Sequence, residues 1–327
     1  MSVIDTYGRR INYLRLSITD RCNLRCTYCM PAEGIRKCSM SDVLSYEELH
    51  QITQSAVDIG VEKVRITGGE PLVRKGVVSF LTGLHRIPGL KKLVLTTNGL
   101  LLDEMADDLK LAGVESINIS LDSMRPEVFS RITRLGDVNR VMAGIEAAER
   151  AGFRYLKINM VVMKGVNDEE VLDFAALTLE KPITVRFIEY MPTAREHDWQ
   201  SLMIGGDELL SRISRRFSIQ KVVNEALDGP AVNYRIKGAA GKVGFITPIS
   251  RHFCHDCNRI RVTSSGAVKS CLFEEGTTNL RPYLAVGDVV GLREALRRVA
   301  GRKPLTHSFL AAGEADGCQF SMSQIGG

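Results

Sequence analysis

The sequence predicts an α/β protein built on an incomplete (β/α)6 barrel, followed by a smaller C-terminal region. Three observations carry this. Six short runs rich in β-branched residues recur along the first part of the chain, helical patterns lie between them, and the rhythm breaks after Met191.

The expected strands are residues 12–19, 63–67, 92–97, 116–121, 155–163 and 183–189. Between them, Ser45 with Glu48 three positions later reads as a capping box, and Gly60 sits where a helix stops. Residues 103–112 run into Gly113, and residues 138–151 into Gly152. Asn167 is expected to cap a helix over 168–179. Helical crossovers make neighbouring strands parallel, because each helix covers a face of the sheet. Six units suit an incomplete barrel better than a closed eightfold one, and a doubly wound open sheet has the same spacing.

Beyond Met191, residues 207–217 read as a helix and 219–244 as glycine-bearing, irregular chain. Residues 259–262 and 267–273 then form a hairpin across Ser264-Ser265-Gly266, followed by a helix at 290–299 and a polar tail ending Ile325-Gly326-Gly327. A boundary near 228 divides the chain into a partial barrel, 1–227, and a second region, 228–327.

Composition narrows the function classes. The chain has 327 residues, 44% hydrophobic and 25% charged, which excludes disordered, collagen-like and small disulfide-stapled proteins. Forty-three Lys and Arg against 38 Asp and Glu give +5, compatible with an anionic small molecule and too weak a bias for DNA or RNA. No apolar run approaches the roughly 18 residues of a membrane span, and the start MSVIDTYGRRIN lacks a signal-peptide core. A cytoplasmic protein with no membrane partner is expected. The eight cysteines, Cys22, Cys26, Cys29, Cys38, Cys254, Cys257, Cys271 and Cys318, cluster towards the two ends. In a reducing compartment such clusters read as metal sites rather than disulfides.

Cys22-x3-Cys26-x2-Cys29 follows the first strand, at the end of the barrel where active sites are built. Three thiolates hold three irons of a four-iron cubane and leave the fourth open. Structural zinc wants four closed ligands, and Cys38 is at hand for that. Spacing alone leaves both open. For Cys254-x2-Cys257-x13-Cys271, beside His252 and His255, spacing alone favours a zinc ribbon. The hairpin adds a sharper clue. If Thr263 pairs with Ala267, Arg261 stands opposite Lys269 and Arg259 opposite Cys271, so Cys257, Arg259, Arg261, Lys269 and Cys271 share one face. Such a face suits an anion, phosphate above all, whereas a solvated edge strand is the structural alternative. No GxxxxGKS loop is present, which disfavours a P-loop nucleotidase.

The segment Cys22-Asn23-Leu24-Arg25-Cys26-Thr27-Tyr28-Cys29, with Tyr28 at its aromatic position, resembles the cluster motif of the radical S-adenosylmethionine superfamily. Gly68-Gly69-Glu70-Pro71 matches that superfamily's glycine-rich segment. Further matches are Arg65-Ile66-Thr67, Thr96-Thr97-Asn98-Gly99, Ser120-Leu121-Asp122-Ser123, Arg131-Ile132-Thr133-Arg134, Met191-Pro192, the CxxC-NRIRVT-x7-C block and the diglycine tail. Over nearly its whole length the chain thus resembles the GTP 3′,8-cyclase family within that superfamily.

The resemblance implies a barrel of the radical S-adenosylmethionine type, a smaller C-terminal cluster-binding region covering the barrel opening, and two [4Fe-4S] clusters. Cys22, Cys26 and Cys29 would hold the first, whose open iron chelates S-adenosylmethionine. Cys254, Cys257 and Cys271 would hold the second, whose open iron meets the guanine of GTP. It assigns S-adenosylmethionine to the Tyr28 backbone, Gly69, Ser120 and Met191. It assigns GTP to Arg15, Arg65, Thr96, Lys157, Arg259, Ile260 and Arg261. Arg15, Arg65 and Lys157 lie in otherwise apolar strands, where a buried cation needs a counter-charge, and a triphosphate supplies one. Arg186 is a further such cation, and no catalytic residue is assigned.

The implied reaction abstracts the ribose 3′ hydrogen of GTP and closes the carbon radical on guanine C8. The product would be (8S)-3′,8-cyclo-7,8-dihydroguanosine 5′-triphosphate, in the first step of molybdenum cofactor biosynthesis, passed on to cyclic pyranopterin monophosphate synthase. An external one-electron reductant is implied, and a homodimer is left open. Cys38 and Cys318 read as ordinary thiols. Gly326 and Gly327 are expected to enter the active-site cavity, so that their deletion abolishes product and spares both clusters. The competing readings are a peptide-modifying radical enzyme with an auxiliary cluster, an iron–sulfur electron carrier and a zinc-stabilised module that binds RNA or protein.

Overall fold

Alternation along the strands builds a sheet with one apolar and one polar face. In β3 (Tyr13–Ser17), Leu14 and Leu16 belong to the apolar core, and Tyr13, Arg15 and Ser17 take the other face. Val64 and Ile66 repeat this in β4 (Lys63–Thr67), as do Val185 and Phe187 in β8 (Thr184–Glu189). The computed structural model describes residues 2–34, 42–191, 198–224, 227–274, 276 and 278–307. The expectations for Cys38, Cys318 and the Gly326-Gly327 tail lie outside the described residues.

The chain opens with an antiparallel pair, β1 (Val3–Ile4) and β2 (Arg10–Ile11). The parallel strands are β3, β4, β5 (Lys92–Thr97), β6 (Ser116–Ser120), β7 (Leu156–Val162) and β8, within a residue or two of expectation. Their crossovers are α1 (Tyr46–Asp58), α2 (Val77–His85), α3 (Leu102–Leu111), α4 (Pro126–Thr133), α5 (Val138–Arg150) and α6 (Val171–Glu180). Then come α7 (Trp199–Leu202), α8 (Gly206–Arg216), β9 (Ile219–Val222), β10 (Val232–Ile236), β11 (Lys242–Ile246), β12 (Arg259–Val262), β13 (Ala267–Lys269), β14 (Thr278–Asn279), α9 (Arg281–Ala285) and α10 (Val289–Gly301).

Local chemistry explains the helix starts. The Ser45 hydroxyl accepts from Glu48 N while the Glu48 carboxylate accepts from Ser45 N, a reciprocal cap contributing about 1 kcal/mol. α1 then buries Leu49, Ile52 and Ala56 against the outer face of the sheet. Asn167 does not cap a helix as expected. Its side chain is taken up by Met163 N, Asp122 O and Val161 O, so a single 3-10 turn precedes α6.

The sheet order is β14-β13-β12-β3-β4-β5-β6-β7-β8-β11-β10-β9, an open array and therefore an incomplete barrel. β12 extends it beside β3 and β11 beside β8, both in parallel. The second region is thus continuous with the barrel wall. Residues 219–244 are not irregular: β9, β10 and part of β11 lie within them. Their glycines mark close approach. A Cβ on Gly241 would lie 2.7 Å from Lys181 O, and one on Gly244 would lie 2.5 Å from Asn233 Oδ1.

The hairpin register holds where expected, with Thr263 N donating to Ala267 O and Arg261 opposite Lys269. β13 is shorter than expected and ends at Lys269. Ser270 and Cys271 turn away there, so Cys271 has no ladder position opposite Arg259. Among the described residues no helix is long and apolar enough to cross a membrane.

Candidate active site

The first cysteine trio occupies the loop after β3. Gly69 N donates to Thr19 O and Glu70 N to Arg21 O, which ties the glycine segment after β4 to that loop. A Cβ on Gly69 would lie 2.8 Å from Asp20 O and nearer still to Arg21, so only glycine fits. Glu70, fully buried, accepts from Leu72 N, Thr97 Oγ1 and Asn98 N. Asn98 in turn bonds Asn23 and reaches Cys22 Sγ at 3.9 Å, while Leu24 N donates to the same sulfur at 3.3 Å. Burial pushes Cys26 well above the ordinary thiol range, and Asp122, Cys29 and Cys22 add to it. N–H groups aimed at a soft sulfur suit a metal-cluster ligand.

Tyr28 donates its hydroxyl to Asp122 Oδ2 at 2.7 Å and meets Tyr190 edge-on at 6.4 Å. Burial raises the Asp122 carboxyl to about 6. Ser120, at the end of β6, stands opposite Asn159 of β7.

In the second trio the thiols diverge: burial pushes Cys254 up, as it does Cys26, and Cys257 goes the other way. Burial pushes the Cys257 thiol up, yet Arg259 and Lys303 beside it outweigh this and bring it down to about 6. Arg259 Nη2 donates to Cys257 Sγ at 3.4 Å. Glu189 fixes the approach to this trio by accepting from Gly206 N, Ile249 N and Ser250 N. Among the described residues, no three His, Cys, Asp or Glu side chains close tightly enough around one point for a single ion.

Beside the second trio the inner face carries a row of cations. Lys269, Arg261, Arg15 and Arg65 stand opposite one another across β13, β12, β3 and β4. Burial, then Arg261 and Arg65, holds Arg15 well below the usual guanidinium range. Burial and Arg259 bring Arg261 to about 10, and burial and Arg65 do the same to Arg186. Arg65 Nε, Arg186 Nε and both Nε and Nη1 of Arg261 are buried without a hydrogen-bond partner. Burying such donors unmatched is costly, and an anion in front of them would match them.

They face a cavity of about 1050 Å³ counting its open mouth. Arg15, Arg65, Arg259, Arg261, Met191 and all three cysteines of the second trio line it. The first trio, Tyr28, Gly69 and Ser120 do not line it, and neither do three of the residues expected to bind GTP. Ile260 is packed in the apolar core opposite Leu14. Thr96 is on the inner face with its hydroxyl unpartnered, and Lys157 pairs with Asp228 at 3.2 Å.

Sequence reasoning missed several neighbours. Lys63, two residues before Arg65 and so on the same face, donates to Leu227 O and lies 4.3 Å from the Tyr13 ring centre. Its strand periodicity was the available signal. Lys303, Asn159 and Phe253 also line the cavity or its wall, and no motif marks them.

The profile of the Radical SAM superfamily matches residues 16–178, and that of Molybdenum Cofactor Synthesis C matches 183–309. A GTP 3′,8-cyclase of Geobacter sulfurreducens is 59% identical over 327 residues, covering 100% of both chains. One from Peptoclostridium acidaminophilum is 46% identical over 94% of this chain and 93% of its own. Among solved structures, Streptococcus suis SuiB bound to S-adenosylmethionine is similar in fold, with TM-score 0.60 and 15% identity over 91% of this chain and 68% of that one.

Proposed function

The chain belongs to the GTP 3′,8-cyclase family, and from that membership we propose how its residues divide the work of cyclising GTP. It is a radical S-adenosylmethionine enzyme that converts GTP to (8S)-3′,8-cyclo-7,8-dihydroguanosine 5′-triphosphate, the first step of molybdenum cofactor biosynthesis. Its cofactors are two [4Fe-4S] clusters and S-adenosylmethionine. The full-length relatives do not favour a peptide-modifying enzyme or a zinc-stabilised module.

In this reading residues 1–227 form the radical barrel and 228–327 the second-cluster and GTP-binding region. Cys22, Cys26 and Cys29 hold the first cluster, and Cys254, Cys257 and Cys271 the second. Tyr28, Gly69, Ser120 and Met191 surround S-adenosylmethionine. When bound, these cofactors supply the reductive cleavage whose 5′-deoxyadenosyl radical removes the ribose 3′ hydrogen, so that C3′ closes on guanine C8.

The protein's own share is placement. The observation that carries the GTP assignment is the ladder of Arg261, Arg15 and Arg65 beside the second trio, in which buried N–H groups of Arg261 and Arg65 lack acceptors. A triphosphate matches that excess of donors and charge. Lys63 and Lys157 join them, their ammonium forms disfavoured first by burial and next by Arg65 for Lys63 and by Arg186 for Lys157. Thr96 and Ile260 complete the assigned set, Ile260 through its backbone, since its side chain is in the core. Water exclusion follows from the buried position of these groups, and it protects a radical that takes whichever hydrogen lies nearest.

The reading extends to a cytoplasmic enzyme with an external one-electron reductant, cyclic pyranopterin monophosphate synthase as the next enzyme, and no nucleic-acid or membrane partner. A homodimer stays open. The test is 5′-deoxyadenosine formation by anaerobically reconstituted, dithionite-reduced protein with GTP, with ATP and with no nucleotide. A GTP-dependent burst with a new product of GTP's mass is expected. Equal 5′-deoxyadenosine in all three overturns the GTP assignment.

A further inference from the structure

We propose that Arg9, held by Asp5, is a positioning residue for the second cluster, which rests on reading Cys254, Cys257 and Cys271 as its ligands. The N-terminal turn is built around the Asp5 carboxylate. Its Oδ1 accepts from Tyr7 N and Arg9 N, both at 2.9 Å, and Gly8 supplies the left-handed residue with φ 79°. Its Oδ2 pairs with Arg9 Nε at 2.6 Å, and both side chains are buried.

The remaining donors of Arg9 go to backbone far along the chain. Nη1 donates to Cys254 O at 2.6 Å, and Nη2 donates to Lys303 O at 3.0 Å and Pro304 O at 2.8 Å. Lys303, placed in this way, donates Nζ to Ser270 O at 2.5 Å, the residue before Cys271. Two of the three ligand-bearing stretches are therefore tied to one guanidinium, Cys254 directly and Cys271 through Lys303. Among the described residues, none of the hydrogen bonds of Arg9 reaches the loop of the first trio.

The chemistry requires arginine. Three carbonyl acceptors and one carboxylate are met by a rigid planar fork, and a lysine ammonium on a flexible stem cannot reach them together. Asp5 makes the arrangement tolerable, because a buried guanidinium needs a counter-charge. Burial pushes the Asp5 carboxyl up, but the Arg9 and Tyr7 hydrogen bonds and the Arg9 charge outweigh it and hold it below its ordinary value.

The test uses the full-length chain, anaerobically reconstituted, as wild type, Arg9→Lys and Asp5→Asn. Electron paramagnetic resonance of the reduced protein separates the clusters, since S-adenosylmethionine perturbs the signal of one and GTP that of the other. Arg9→Lys is expected to shift or lose the GTP-sensitive signal, weaken GTP binding roughly tenfold or more, and leave the S-adenosylmethionine-sensitive signal intact. Asp5→Asn is expected to move the same signal less. An unchanged GTP-sensitive signal in both variants overturns the proposal. So does simultaneous loss of both signals, which would make Arg9 a support of the whole fold. A wild-type protein with half the iron and no GTP-sensitive signal overturns the reading of the second trio, and the proposal with it.

Discussion

Arg261 stands opposite Arg15 in the parallel ladder of β12 and β3, guanidinium beside guanidinium on the inner face of the sheet. Two nitrogens of Arg261 are buried without an acceptor. The free protein therefore carries a destabilising contact that an anion relieves. Arg261→Met is expected to stabilise the nucleotide-free protein by about 1–3 kcal/mol and to weaken GTP binding by about 10- to 100-fold. Chemical denaturation without GTP and titration calorimetry with it check the two halves. A variant that loses stability in the free state contradicts this account.

The buried lysines make a pH prediction. Burial, with Arg65 next, lowers Lys63 from 10.5 to about 6; burial, with Arg186 next, lowers Lys157 from 10.5 to about 7. Folding thus depresses both below their unfolded values, and between about pH 7 and 10 the unfolded chain binds more protons. Stability of the free protein should rise with pH across that window, and the penalty should be fully present below about pH 6. If GTP binds beside both lysines as proposed, its charge favours their ammonium forms, so its binding at pH 8 should take up protons. Calorimetry in two buffers of different ionisation heat measures the uptake, and equal heats in both would count against it.

Metal removal exposes a reactivity order. In metal-free, reduced protein at pH 7, Cys257 should alkylate fastest with iodoacetamide and Cys26 slowest among the six described cysteines, because their thiols are shifted in opposite directions. Mass spectrometry of timed samples reads the order. Arg259→Met should slow Cys257 selectively.

Gly69→Ala should act on the first trio alone. The new Cβ would press on the carbonyls of Asp20 and Arg21, moving the loop that leads into Cys22. A loss of about 1–3 kcal/mol in stability is expected, with the S-adenosylmethionine-sensitive signal lost and the GTP-sensitive one kept.

Much of this architecture is legible in the residues. The six parallel strands follow from β-branched alternation, and Arg15, Arg65 and Lys157 stand out because they interrupt it. The hairpin register follows from one turn, placing Arg261 against Lys269. Other features leave no such trace. Gly241 and Gly244 resemble loop residues until the backbone and side chains against them are seen. Asn167 resembles a cap, but its side chain belongs to Asp122, Val161 and Met163. Lys303 meets the second trio through a contact spanning 33 residues, and Arg9 through one spanning 245, distances at which no local pattern speaks.

The docking of β12 beside β3 also has a kinetic side. It joins a strand starting at Tyr13 to one starting at Arg259, so most of the chain must be synthesised before that ladder closes. Non-local pairings of this kind pay their loop-closure entropy before any contact rewards it, and they form late. A nascent chain can therefore close β4 beside β3, at the base of the first cysteine loop, before the strand that leads out of the second trio has been made.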